Sequence, residues 1–260
     1  MSGRLVGALV TGGLLLTACG TADSPIGGAR SQDSETPHPR DADGDPLVTC
    51  GGPGFEISAM SGGVQGLVAR DEVAAALERL VDEAGIDAPT ALQDEHVDEA
   101  QWFVLGESDG VLTVATGSWD RAGPGTDAQV VGLEQVADGW DATGWGDCNL
   151  APVSPPGLNW VDVTAQARDL PPSATSVPVW VSERECTSAR DPRPFLSNPV
   201  VVEDEQDVTV YWTSTQPEGA QDCPGNPRVR RLLRLQAPLG ERVLLDGSTW
   251  PPSPVELTPR

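Results

Sequence analysis

The stretch Gly106-Glu107-Ser108-Asp109-Gly110 comes nearest to a catalytic signature in this chain. It matches the G-x-S-x-G nucleophile elbow, which holds a serine at a strand-to-helix turn, with an acid and a histidine further along. Here a second strand pattern, Val111–Thr116, follows the motif, and no histidine lies downstream. A hairpin turn therefore accounts for all five residues. A triad is recognised by geometry and not by chain order, so the upstream His96 is the histidine such a serine would need. His96 lies in Asp94-Glu95-His96-Val97-Asp98-Glu99, which reads as a surface histidine among carboxylates. As a metal ligand beside Asp98 or Glu99 it would need a third donor, and none stands at ligand spacing. Carboxylate pairs for glycoside hydrolysis carry no information, because 39 acidic residues always supply some pair at a workable separation. No catalytic residue, metal site or cofactor is assigned from these residues.

Residues that could bind are easier to find. Trp140 and Trp145 sit in the glycine-rich stretch Gly139–Gly146. Exposed together they would make an aromatic platform for a sugar or wall polymer. Buried, they would supply core bulk that the three Phe and one Tyr cannot. Arg228, Arg230 and Arg234 alternate with Val229, Leu233 and Leu235, the pattern of a strand with a solvated face and a core behind it. In so acidic a chain that arginine face could hold an anionic polymer. Asp41-Ala42-Asp43-Gly44-Asp45 begins like a calcium loop, but Pro46 replaces the loop glycine and no glutamate closes it, so it reads as solvated acidic chain.

The segments that must position these residues divide the chain. Residues 1–18 have the parts of a secretory signal: Arg4, an apolar run from Leu5 to Leu16, and small residues after it. The run is too short for a bilayer span, which needs roughly 20 apolar residues. Leu16-Thr17-Ala18-Cys19 resembles the lipobox of bacterial lipoproteins. The resemblance implies diacylation of the Cys19 thiol, cleavage before it, and a lipid anchor on the extracytoplasmic face of the cell membrane. Two or three acyl chains anchor stably where one binds only marginally. Cleavage would remove Arg4 and no acid, leaving 15 arginines against 39 acidic residues. That balance repels nucleic acid. The chain contains no lysine, which excludes lysine Schiff-base and P-loop chemistry.

Residues 19–46 are expected to form a lipid-anchored flexible linker, able to hold a domain about 30 Å from the membrane. Residues 47–152 read as an α+β module. A helix from Asp71, as N-cap, to Ala84 carries Val73, Ala76, Leu77, Leu80, Val81 and Ala84 on one stripe, with Gly85 as its stop. Strands are expected at 101–105, 111–116, 129–135 and 140–148, and the helix should pack on the antiparallel sheet they form. A proline-rich link, 151–159, precedes a β module at 160–257, with strands near 160–164, 177–186, 200–203, 208–213, 229–236 and 242–245. Residues 250–260 read as an extended proline-rich tail.

Setting Cys19 aside leaves Cys50, Cys148, Cys186 and Cys223, an even number that in an exported chain points to disulfides. Three connectivities are possible. Pairing Cys50 with Cys148 and Cys186 with Cys223 staples each half separately and is the expected arrangement. Zinc is disfavoured by the lack of C-x-x-C spacing. Ser182–Ser188, Cys223–Pro227 and Pro238–Arg242 resemble an uncharacterised class of exported proteins and lipoproteins of high-GC Gram-positive bacteria. That resemblance also implies the Cys186–Cys223 bond, and it implies no activity. The fold expected is α+β, β-dominated and disulfide-stapled. The function expected is a membrane-anchored, non-catalytic binding or accessory module for a cell-wall polymer or envelope protein. The competing readings are an extracytoplasmic hydrolase and a structural spacer without a specific ligand.

Overall fold

A computed structural model describes residues 36–61, 63–64, 66–93, 97, 102–117, 128–137 and 139–258. Cys19, His96 and the signal segment lie outside the described residues. The chain is β-dominated, with 40% strand and 15% helix. Residues 34–260 form one compact unit.

The first half runs β1 (Leu47–Thr49), β2 (Phe55–Glu56), α1 (Arg70–Ala84), α2 (Thr90–Gln93), β3 (Trp102–Ser108), β4 (Val111–Thr116), β5 (Gln129–Val136), β6 (Gly139–Asp147) and β7 (Ala151–Pro152). Strands β3 to β6 form an antiparallel meander in chain order. Asp109 and Gly110, both at positive φ, link β3 to β4 as a two-residue turn. Such turns match the twist of the flanking strands, and this one is the G-x-S-x-G stretch. Val73, Ala74, Ala76, Leu77 and Leu80 of α1 share one buried cluster with Trp102, Leu112, Val114, Val131, Leu133 and Trp140. Leu77 is wholly buried, which contributes about 1.5–3 kcal/mol by area.

The sequence placed Asp71 at the N-cap. It lies instead within the first turn, after an extended Ala69 that makes no side-chain cap. Asp71 and Glu72 act there through the positive end of the helix dipole. Gly85, at φ +56°, ends the helix and donates its N–H to the Val81 carbonyl.

The second half runs β8 (Leu158–Ala165), β9 (Ser176–Glu183), β10 (Val200–Glu203), β11 (Asp207–Tyr211), β12 (Thr213–Thr215), β13 (Val229–Arg234), β14 (Val243–Asp246), β15 (Ser253–Pro254) and β16 (Glu256–Leu257). One sheet has the order β12-β8-β9-β13, with β16 parallel to β8. The other has the order β10-β11-β14-β15, with β11 and β14 parallel. Their apolar faces meet in a single cluster: Val161, Val163, Val177, Val179, Val181 and Leu233 from the first, Val208, Val210 and Leu244 from the second. The segment expected as an extended tail is woven into the sheets. Residues 253–254 extend one sheet, 256–257 flank β8, and Val255 between them is 6% exposed. Burying Val255 outweighs the donors that the prolines lack.

Residues 36–46, expected within the linker, carry local structure. Asp41 Oδ1 accepts the N–H groups of Asp43 and Asp45 at 3.0 and 2.9 Å, closing the acidic stretch as an Asx-type turn. Arg40 bridges to Pro46, and Leu47 N–H donates to the Pro39 carbonyl. His38 is 6% exposed, its ring centroid 5.6 Å from that of Tyr211. The Tyr211 ring in turn lies where a Cβ on Gly247 would have to be, 2.5 Å away, so that position requires glycine.

Nε2 of His38 is buried with no hydrogen-bond partner among the described residues. Burial holds its pKa below the ordinary 6.5; the Arg40 charge acts the same way and the Pro39 carbonyl opposes. Above pH 6.5 the imidazole is neutral whether residues 36–46 are docked or free, so docking is unopposed. As pH falls below that value the free segment takes up the proton first, and docking weakens until the docked ring titrates as well. Hydrogen exchange corrected for intrinsic rates should therefore show amides 41–47 losing protection as pH falls from about 7 through 6.5. A His38→Phe variant should hold its protection across that range; equal pH dependence in the two proteins would refute the assignment.

Candidate binding groove

A groove of about 1400 Å³ lies between the two halves. Its walls come from five places far apart in sequence: Thr49–Gly52, Asp147–Pro152, Asn159 and Trp160, Arg184–Cys186, and Thr249–Pro254, with Gln216 and Gln221 at one side. Each wall is fixed by a specific bond. Cys50–Cys148 joins the end of β1 to the end of β6, and Cys186–Cys223 holds the loop after β9. On a chain-entropy account the loops of 98 and 37 residues contribute about 5 and about 4 kcal/mol. Short strand β7 pairs with β1 at Thr49 and Val48, and Val153 N–H donates to the Leu47 carbonyl. From the second half, Trp160 Nε1 donates to the Pro152 carbonyl at 2.6 Å and Trp250 N–H to the Leu150 carbonyl at 2.9 Å.

Arg184 is the single cation on the wall, and four of its five N–H donors are engaged. Its Nε and Nη2 donate to Asp162 Oδ1 at 2.9 and 2.8 Å, Nη1 to the Ser248 carbonyl, and Nη2 to Ser248 Oγ. Behind it, Asp246 accepts Val163 N–H on one carboxyl oxygen and Ser248 N–H on the other, both at 2.9 Å. Burial pushes the Asp246 carboxyl above the ordinary carboxylate range, opposed by those two N–H groups and by Arg184. This network is a brace for the wall. The lining also carries carboxamides, the hydroxyl residues Thr49, Ser154, Thr249 and Ser253, the Trp160 and Trp250 rings, prolines, and the acids Asp147 and Glu185.

The residues proposed from sequence fall elsewhere. A bulge at Thr143, where Gly132 pairs with Gly144 and Leu133 with Ala142, puts Trp140 and Trp145 on the same face of β6 despite their odd spacing. Trp140 is 7% exposed and belongs to the core under α1. Trp145 is 42% exposed and donates Nε1 to the Asp87 carbonyl, so the pair makes no shared platform. Arg230 and Arg234 point outward with Leu232 from the edge strand β13, and Arg228 is exposed just before it. Charged residues on an edge strand resist pairing with another chain. None of the three arginines lines the groove. The groove residues were missed because each stands alone in its stretch; the one local signal, Trp250 followed by two prolines, was absorbed into the supposed tail.

Removing the brace should be costly. Asp246→Ala strands two buried N–H groups, a loss of about 2–4 kcal/mol, read as a lower denaturant midpoint for the oxidised protein. Asp246→Asn, which keeps one acceptor, should lose less; equal losses would contradict the bonding described. No known protein family, curated protein or solved structure matches this chain.

Proposed function

We propose that this chain is a bacterial envelope lipoprotein, held by acyl chains on Cys19 to the extracytoplasmic face of the cell membrane. Its β-rich ectodomain binds a wall component or partner protein in the groove between its two halves, without chemical turnover. The observation that carries the reading is the groove itself: a large concavity built on two disulfides and a braced arginine, with carboxamides, hydroxyls and two acids along its walls. Rigid walls favour binding because little freedom is lost when a ligand settles. In this reading the α1 helix, laid across the antiparallel meander, is scaffold. The anchor rests on Leu16-Thr17-Ala18-Cys19 after an apolar run. Among the described residues no helix is long and apolar enough to cross a membrane.

Two measurements test the proposal. Mass spectrometry of the membrane-extracted protein should find a chain starting at Cys19 and carrying diacylglycerol; an unmodified Cys19 would remove the anchor. A photo-crosslinking residue in place of Asn149 should capture a wall fragment or an envelope protein in cells, and one in place of Arg230 should not. Capture from neither position, or equally from both, would remove the groove as the binding site.

A further inference from the structure

We propose that the ligand of the groove is a neutral saccharide chain, lying against the Trp250 indole with its hydroxyl groups bonded by Asn149, Asn159 and Gln216. The inference rests on the groove being the binding site and adds the chemistry of what enters it. Three features of the walls support it.

The first is charge. Arg184 is paired with Asp162, and four of its five N–H donors are already committed to Asp162 and Ser248, which leaves a single N–H for an incoming anion. Asp147 and Glu185 add negative charge to the lining, in a chain of formal charge −23. A phosphate- or carboxylate-rich polymer would enter against that field with only the already paired Arg184 to receive it.

The second is the pattern of open valences. Gln216 Nε2 donates to Asn159 Oδ1 at 3.0 Å. This leaves the Gln216 carbonyl oxygen and the Asn159 amide N–H groups without a partner among the described residues, and the Asn149 carboxamide likewise. A carboxamide presents an acceptor and donors side by side. A sugar hydroxyl both donates and accepts, so a row of hydroxyls satisfies a row of carboxamides. An anion, which only accepts, leaves half of these groups unpaired at a cost.

The third is size and apolar surface. About 1400 Å³ exceeds the roughly 300–1000 Å³ of ordinary small-molecule pockets, which points to a chain and not a single small molecule. The Trp250 ring and the prolines at 152, 217, 251 and 252 offer the C–H and π surface that the apolar faces of a pyranose ring stack on.

The test is a titration of the full-length protein in a detergent without a sugar headgroup, followed by calorimetry and tryptophan fluorescence. The probes are chitotetraose and cellotetraose as neutral saccharides, poly(glycerol phosphate) as an anionic polymer, and a proline-rich decapeptide. Saturable binding of a neutral saccharide is expected, with poly(glycerol phosphate) at least about tenfold weaker. Asn149→Ala and Gln216→Ala should each weaken saccharide binding by about 3- to 10-fold. Trp250→Ala should abolish the fluorescence change; because Trp250 also packs against the core around Val48 and Leu150, the two carboxamide variants carry the test if that variant misfolds. If the peptide binds with the same sensitivity to Asn149→Ala and the saccharides do not, the saccharide assignment falls and the groove stands as a site. If saccharides bind but neither carboxamide variant weakens them, both the assignment and the groove fall. If no probe binds, the saccharide assignment falls, and crosslinking from position 149 decides the groove separately.

Discussion

Residues 148–153 are bonded in several directions at once, and the placement of both halves follows from those bonds. Cys148 holds Cys50 through sulfur and Ala128 through its N–H. The Leu150 carbonyl receives Trp250 N–H, the Pro152 carbonyl receives the Trp160 indole, and Val153 N–H reaches Leu47. A proline-rich link would ordinarily be a hinge. Here the Leu150 and Pro152 carbonyls accept donors from the second half while the Cys148 and Val153 N–H groups donate into the first, so this short stretch is at once an edge of one sheet and part of the groove lining.

Arginine does a second kind of fastening. A chain with 29 glycines and 24 prolines leaves many carbonyls outside regular ladders, and buried carbonyls need donors. Arg242 pairs with Glu203 at 2.8 Å and also donates to the carbonyls of Ala237, Pro238 and Leu239. Arg190 pairs with the buried Glu183 and reaches the Thr215 carbonyl. Pairs as sheltered as these contribute little net energy over a well-packed apolar substitute, but a single partner left behind would be expensive. Their effect is to fix where irregular segments lie. A planar guanidinium with five donors can serve a carboxylate and several carbonyls together, and an ammonium cannot do so with the same geometry. The chain uses arginine throughout and contains no lysine.

How far the sequence announces this structure depends on the distance over which each constraint acts. Val111–Thr116 and Val200–Glu203 are legible because short β-branched apolar runs bounded by turn residues are local signals. The α1 stripe and its glycine stop are legible for the same reason. The bulge at Thr143 is invisible, since nothing in Gly139–Gly146 says where pairing with β5 slips, and the slip decides which way Trp145 faces. The docking of His38 on Tyr211 joins residues 173 positions apart (211 − 38), and β16 meets β8 across 92 (256 − 164). Composition argued the other way there, because proline and acid look like solvated chain. The groove is the extreme case: its walls come from separate segments, each unremarkable alone.

The connectivity of the cysteines bears on how the molecule is made. Cys50 pairs with Cys148 and Cys186 with Cys223, so each cysteine of the folded unit is bonded to its neighbour in chain order. A chain emerging N-terminus first presents these thiols one after another. When Cys148 appears, the only earlier thiol of this set is its native partner, and once that bond has closed the same holds for Cys223 and Cys186. Oxidation in step with emergence thus reaches the native bonds directly. The two other connectivities, one crossed and one nested, would each require a thiolate to attack and reshuffle a wrong disulfide, and oxidation in this order avoids both.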